Sequence, residues 1–537
     1  MDLRYLQARI NEQKHSNSVF TFEKGQVVQR SHADVYSDVQ AACSRLTAWG
    51  LRPGMRVGIF APNCYEWIIY DLALTELRAV IVAFTDDFAT MPAAELCDKY
   101  SLSLLLLSKA STRNEPETGI PIAYLDAENN DVKVIERGEP ANDPDYDRVG
   151  CIFSSGSSGG LKGLSLNRRG IEASVDMFTQ AVNPRHDDCL LLFLPISNFQ
   201  QRLMYYSAFW YGFNLIVTDP NRLFRALKEL HPTILIAPPT LYEAFETRFY
   251  NLPKWKRLLA QIIADATLAI PAASIRKRIA GRLFKELHEA LGGRMRFMVT
   301  GMAPIKHSTL KLCRRMQLPL FETYGLIEFG SISLNLPGAN KIGSVGRLLP
   351  GVHVKFAEDG EIIAHREHTI AFGYFECAPG ESEKSFIGNG HVATGDIGRM
   401  DADGYLYLVG RKKEIIITSG GLKVHPEALE AEINACPDVK TSVVFRSPEH
   451  PSLVAVVLPN NPQEMDVKER IKNFIDTINA RHSSVNIGKV IITAEVFTRE
   501  NGFLRPNLKF NRKKIAQHFE SQIEDDESES RAFARRA

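Results

Sequence analysis

The stretch Ile152-Phe153-Ser154-Ser155-Gly156-Ser157-Ser158-Gly159-Gly160-Leu161-Lys162-Gly163 decides how the chain is read. An apolar lead-in of strand character runs straight into glycines and hydroxyls, and then into a lysine. Glycine lets backbone approach an anion and turn its N–H groups inward, hydroxyls add donors, and Lys162 adds charge. A flexible Gly/Ser linker has a similar composition, but linkers seldom follow directly on a buried strand. The loop is read as a polyphosphate cradle. It is not a Walker A loop: Leu161 precedes the lysine and Gly163 follows it, where that pattern needs Gly and then Ser or Thr. A P-loop NTPase is thereby set aside.

Outward from the loop, short apolar runs (57–60, 80–84, 103–107, 190–194, 214–217, 234–237, 295–299) alternate with amphipathic segments (35–49, 64–75, 223–230, 275–291). Strand–helix alternation of this kind predicts α/β layers with largely parallel sheets flanked by helices. From 343 to 408 the texture changes to short strands and Gly-rich turns, which predicts a small β-rich subdomain. Past Arg411 a smaller α+β unit follows, with helices expected at 426–435 and 467–481 and strands at 441–445 and 453–457. The predicted plan is a large domain over 1–410, a small mobile domain over 411–520, and a tail over 521–537. The tail segregates EDDESES from RAFARRA and reads as disordered.

Bulk properties narrow the function. The 537 residues exceed one ordinary core, and 45% hydrophobic with 24% charged is typical of a globular protein. Lys and Arg total 64 against 63 Asp and Glu, so no global field exists to grip nucleic acid. Any anion must be held by a local site. Eight scattered cysteines form no C-x-x-C pair, which argues for reduced thiols rather than zinc or redox motifs. The N-terminus lacks the apolar core of a signal peptide, and no run reaches the length of a membrane span. The expectation is a cytoplasmic monomer or homodimer without a transmembrane segment, with peripheral membrane contact left open.

The loop resembles the Ser/Thr-Gly-rich loop of the acyl-adenylate-forming (AMP-binding) superfamily, whose usual form is Thr-Gly-x-Pro-Lys-Gly. Further stretches resemble that superfamily in its own order. Leu194-Pro195-Ile196-Ser197-Asn198 is similar to a Leu-Pro-x-x-His segment lining the acyl pocket, with Asn198 at the histidine position. Thr300-Gly301-Met302-Ala303-Pro304 resembles Ser-Gly-Gly-Ala-Pro, and Tyr324-Gly325-Leu326-Ile327-Glu328 resembles Tyr-Gly-x-Thr-Glu. Thr394-Gly395-Asp396, Gly410-Arg411-Lys412-Lys413-Glu414 and the ending 501–512 complete the series, and the likeness is greatest to long-chain fatty acyl-CoA synthetases.

What the resemblance implies is specific. ATP and AMP contacts fall to Ser154, Ser155, Gly156, Ser157, Ser158, Gly159 and Lys162, and to Met302, Ala303 and Pro304. Glu322, Thr323, Tyr324, Gly325 and Ile327 line the base and α-phosphate, while Asp396 and Arg411 take the ribose. Tyr324 is implied to stack on adenine, Glu328 to bind Mg2+, and Lys162, Glu328 and Lys509 to be catalytic. Lys413 is the implied hinge. Ser419, Gly420, Gly421 and Lys423 are implied to meet the acceptor thiol of coenzyme A or of a carrier protein's phosphopantetheine. The implied reaction activates a small carboxylic acid, of fatty type, to an acyl-adenylate and passes it to the thiol. Transfer to a carrier protein or an amine, and a non-catalytic binding descendant, are the alternatives.

Overall fold

The computed structural model describes every residue except 14–16, 110–120, 126–131, 133, 135–146, 156–160, 376, 418–422, 448, 449, 451, 483–485, 505–509 and 524–537, and the side chains of 154 and 155. Two large sheets organise the first 350 residues or so. One has nine strands, in the order Arg347–Leu348, Gly330–Leu334, Leu320–Leu326, Phe297–Thr300, Ile234–Ala237, Cys189–Leu192, Asn214–Val217, Ser18–Glu23, Gln26–Ser31. Its six central strands are parallel and its edges antiparallel. The other has seven: Ala371–Phe375, Leu161–Asn167, Arg148–Ser155, Val80–Ala83, Arg56–Phe60, Leu104–Leu107, Ile122–Tyr124. Strands such as Leu104–Leu107 are buried on both faces, which is why they read as unbroken apolar runs.

Helices pack between and outside these sheets. His32–Ala48 starts on a capping box in which Ser31 and Asp34 bond reciprocally. The segment expected as one helix over 275–291 is two, Ala273–Leu283 and Lys285–Ala290, because Phe284 leaves helical dihedrals to bury its ring. The aromatic run after Asn198 goes into the core: Tyr205, Tyr206 and Phe209 on the helix Phe199–Tyr211 are fully buried.

A third, five-stranded antiparallel sheet (His353–Phe356, Glu361–His365, His391–Met400, Phe386–Gly388 and Leu406–Arg411) forms the β-rich part. The C-terminal unit has its own sheet, Val439–Arg446, Leu453–Pro459 and Ile487–Ile492. Pro426–Ile433 and Val467–Arg481 cover one face, and Phe503 with the helix Arg512–His518 covers the other. The architecture is thus mixed α/β with a large N-terminal part and a small C-terminal one. Residues 521–523, read from sequence as tail, are helical, and Ile523 is buried against the terminal aromatic cluster; 524–537 lie outside the described residues. Six of the eight cysteines are buried. Among the described residues no helix is long and apolar enough to cross a membrane.

One buried ion pair fastens two core helices. Arg202 Nη2 donates to Asp71 Oδ1 at 2.5 Å, with side chains 1% and 0% exposed, and the Tyr205 and Tyr206 hydroxyls donate to Asp71 Oδ2. Removing one member of such a pair leaves the other charged in a low dielectric, at a cost of about 3–5 kcal/mol. Asp71→Ala is expected to lower the thermal midpoint by several degrees, as read by circular dichroism.

Candidate active site

Several of the predicted site residues lie where strands of the two large sheets end. Arg148–Ser155 and Leu161–Asn167 form an antiparallel hairpin in register Ser154↔Lys162 and Ser155↔Leu161. Its tip carries Gly156, Ser157, Ser158 and Gly159, which lie outside the described residues; Ser154 and Ser155 are placed by backbone only. In the nine-stranded sheet Phe297–Thr300 runs parallel to Leu320–Leu326, in register Thr300↔Glu322. The chain segments leaving these two strands carry Met302, Ala303 and Pro304, and Glu328. Carboxyl ends of parallel strands are where open α/β sheets leave a crevice for ligands.

Asp396 is the node of the first cluster. It faces Arg411 across two antiparallel strands, with Arg411 Nε at 2.6 Å from Oδ1. Oδ2 accepts from the Tyr324 hydroxyl at 2.7 Å and from Arg411 Nη2 at 3.4 Å. Burial and then Asp396 push the Tyr324 hydroxyl far above its ordinary range, so it stays a donor. The two carboxylate oxygens offer about four acceptor positions, and three donors already use them. One acceptor position is thus left over, and a further donor enters only where Arg411 gives way.

A second cluster joins the phosphate hairpin to the strand after Tyr324. The Tyr374 hydroxyl donates to Glu328 Oε1 at 3.1 Å, and burial, then Glu328, push that hydroxyl up to about 12. Lys162 Nζ lies 4.7 Å from the centre of the Tyr374 ring and is ion-paired to Glu381. Lys162 holds the Glu381 carboxyl below its usual range. Lys162 and Glu328, over 160 positions apart, are therefore bridged by one tyrosine. A phosphate oxygen approaching Lys162 competes with Glu381.

Glu322 lies two residues before Tyr324 on the same strand, in register with Thr300. Its Oε2 is buried without a hydrogen-bond partner, and burial pushes the carboxyl up to about 8 against one N–H from Gly343. At neutral pH it is mostly protonated and presents a donor and an acceptor together. Thr323 donates its hydroxyl to the Ser333 carbonyl at 2.8 Å, so its own proton is engaged within the hairpin. Gly325 is required by close approach: a Cβ there would lie 2.5 Å from the Gly330 oxygen. Ile327 packs half-buried against the main core. Asn198 caps the helix Phe199–Tyr211, its Oδ1 accepting from Gln200 N at 3.4 Å.

The junction with the small unit is polar. Lys413 lies in a 3-10 turn, Lys412–Glu414, and its neighbour Lys412 bridges Asp359 and Glu361, each at 2.7 Å. Lys423 pairs with Ile417 in a two-stranded ribbon whose tip, with Ser419, Gly420 and Gly421, lies outside the described residues. So does Lys509. Close behind it in sequence, Arg512 is well buried: it ion-pairs with Glu430, approaches Glu414 at 3.2 Å, and donates to the Val444 carbonyl at 3.0 Å.

Residues 6–369 match the AMP-binding enzyme family, and residues 413–529 match the AMP-binding enzyme C-terminal domain. The chain belongs to the AMP-binding enzymes. Among its relatives, a long-chain-fatty-acid–CoA ligase of Mycobacterium bovis is 28% identical over 92% of this chain and 91% of its own length. Long-chain-fatty-acid–CoA ligase 1 of Homo sapiens is 25% identical over 88% and 78%. The fold is shared with an amide bond synthetase from Marinactinospora thermotolerans (TM-score 0.73, 18% identity, 96% of this chain and 99% of that one). It is also shared with an o-succinylbenzoate CoA synthetase from Bacillus subtilis, solved with its acyl-adenylate intermediate (TM-score 0.71, 17%, 95% and 97%).

Within this AMP-binding enzyme, sequence reasoning missed Glu381 and Arg512 as partners of site elements. Glu381 follows an Ala-Pro-Gly turn and carries no pattern of its own. Arg512 had a signal in Glu427 and Glu430, which share a face of one helix and require a cation once buried. The Glu322 shift has a stability consequence. An acid whose folded value is raised favours the folded state fully only below its unfolded value, near 4.5, and that preference is lost as pH climbs to about 8. Glu322→Gln is expected to flatten the fall in thermal midpoint between those two pH values, measured by scanning fluorimetry across the range.

Proposed function

We propose that this chain uses ATP to activate a carboxylic acid, of fatty type, as an acyl-adenylate and then transfers the acyl group to the thiol of coenzyme A, releasing AMP and pyrophosphate. The observation that carries the reading is the joining of Lys162 and Glu328 through Tyr374, beside the Tyr324–Asp396–Arg411 cluster. One half suits a polyphosphate and the other a ribose. The names of the relatives, which are long-chain-fatty-acid–CoA ligases, support the acid and the acceptor. A protonated Glu322 matches the adenine edge, where N6 donates and N7 accepts.

Magnesium fits as a cation carried in with the nucleotide. Among the described residues no group of three or more His, Cys, Asp or Glu could hold a metal alone, and Mg2+ is commonly held by one or two carboxylates plus phosphate oxygens. Glu328 is the carboxylate we assign to it; bound there, the cation offsets charge on the phosphates. Substrate carboxylate is already ionised at neutral pH and needs no protein base. Lys162 then steadies the leaving pyrophosphate, and Lys509 stabilises charge building at the α-phosphorus. Rotation of the small domain about Lys413 withdraws Lys509 and presents Ser419, Gly420, Gly421 and Lys423 to the thiol. The setting we propose is the cytoplasm, and the wide scatter of eight mostly buried cysteines supports it.

Acid-dependent release of pyrophosphate from ATP tests the reading, with a panel of chain lengths; its absence for every acid would remove the catalytic interpretation. Offering coenzyme A, a phosphopantetheinylated carrier protein and an amine in parallel separates the acceptors. Lys509→Ala is expected to lower adenylation by about a hundredfold or more while largely sparing thioester formation from supplied acyl-adenylate. Equal loss of both half-reactions would contradict the rotation. Because Glu381 competes for Lys162, Glu381→Gln should lower KM for ATP by up to about fivefold at unchanged kcat, the scale of a partly exposed ion pair.

A further inference from the structure

The helix Lys254–Leu268 is inverted in its amphipathicity. Its small residues face inward, with Ala264 and Thr267 buried, while Trp255, Leu258 and Ile262 are 65%, 60% and 57% exposed. With Leu259 these fall at i, i+3, i+4 and i+7, a single stripe along the outer face. The following helix, Ala273–Leu283, adds Ile275. Among the described residues, seven of the nineteen exposed large hydrophobic side chains lie between 252 and 275. That clustering separates this patch from the scattered apolar residues any surface carries.

The charge around the stripe is as uneven as its hydrophobicity. Residues 252–284 hold seven Lys and Arg against a single acid, Asp265, in a chain whose net charge is +1. Asp265 is itself neutralised by Arg315 at 2.7 Å. Lys254, Lys256, Lys277, Arg278 and Arg282 are exposed. Lys256 lies 5.5 Å from the Trp255 ring, so a cation and an indole share the leading end of the stripe.

We propose that this helix pair is a docking surface for an anionic lipid bilayer, lying in the interface with Trp255, Leu258 and Ile262 inserted at headgroup depth. A convex helix with an outward apolar stripe and a basic border is the pattern that binds bilayers without spanning them. Indole prefers that boundary, and each Lys or Arg close to an anionic surface contributes about a fivefold gain in binding. A second copy of the chain is a poorer occupant, because two-fold pairing would face one basic border against another. The surface stands on its own residues and does not depend on which acid the enzyme activates.

The test uses the full chain with vesicles of phosphatidylcholine alone or mixed with phosphatidylglycerol, read by co-sedimentation. Trp255 is the one strongly exposed tryptophan, so its emission should shift to the blue on binding. Expected are binding to the mixed vesicles that salt weakens, and at least tenfold weaker binding to phosphatidylcholine alone. A drop of tenfold or more is expected for Trp255→Ser with Ile262→Ser, and likewise for Lys277→Glu with Arg278→Glu. Unchanged thermal midpoints in both double variants establish that they fold. No binding by the native chain, or binding that neither double variant weakens, would overturn the proposal. So would a dimer, seen by light scattering, that Trp255→Ser with Ile262→Ser abolishes, or capture by an acidic protein in place of vesicles.

Discussion

The carboxylate of Asp396 is the point on which the site depends. It lies on the small antiparallel sheet, accepts from Tyr324 at the rim of the nine-stranded sheet, and pairs with Arg411 at the last strand before the C-terminal unit. Two separate sheets, the nine-stranded one through Tyr324 and the small antiparallel one through Asp396 and Arg411, are thus brought to one pair of oxygens. A side chain 5% exposed and carrying charge must be matched by donors, and here the donors come from different structural parts. Geometry that satisfies Asp396 also fixes Tyr324 and Arg411 beside it, so folding and assembly of the site we propose share one constraint.

Much of this was legible in the sequence because it is periodic or punctuated. The apolar runs at 57–60, 214–217 and 234–237 became parallel strands nearly residue for residue, since strands buried on both faces admit little else. The helix Val467–Arg481 kept its expected bounds. Resemblance brought Tyr324, Asp396 and Arg411 into one list, and the fold put them in contact. Legibility ended where a partner is chosen by tertiary placement. Nothing around Glu381 announces that it meets Lys162 some 220 positions earlier, and no spacing rule places Tyr374 between Lys162 and Glu328. The break at Phe284 was hidden for a similar reason: a helical pattern on both sides concealed a ring with somewhere better to go.

Charge is handled in two ways in this molecule. Inside, some charges are paired between distant elements, as with Asp71 and Arg202 or Glu430 and Arg512. Such pairs add modestly to stability but penalise any arrangement that separates them, which favours one packing over its competitors. Arg512 extends this to the junction, because the same guanidinium reaches Glu414 in the linking turn and Glu430 in the helix of the small unit. The terminal motif is thereby tied mechanically to the point at which we propose rotation. Outside, cations gather along the border of the helix Lys254–Leu268, in a chain that is otherwise balanced.

Met302 shows what the rim itself requires. The motif it resembles has glycine there, and the backbone explains the preference: Met302 takes φ of 70°, in the left-handed region. A side chain in that region costs roughly 1–2 kcal/mol. The strain persists because both flanks are fixed: a Cβ on Gly301 would meet Thr323 at 2.8 Å, and Thr323 is anchored to Ser333. Neighbouring strands therefore dictate the turn, and the residue at its apex adapts. With 44% of its surface exposed, the Met302 side chain stands clear of the core. The turn can therefore accept methionine without losing its shape, and the backbone at 302–304 keeps the course that the base-lining role implied by the resemblance would need.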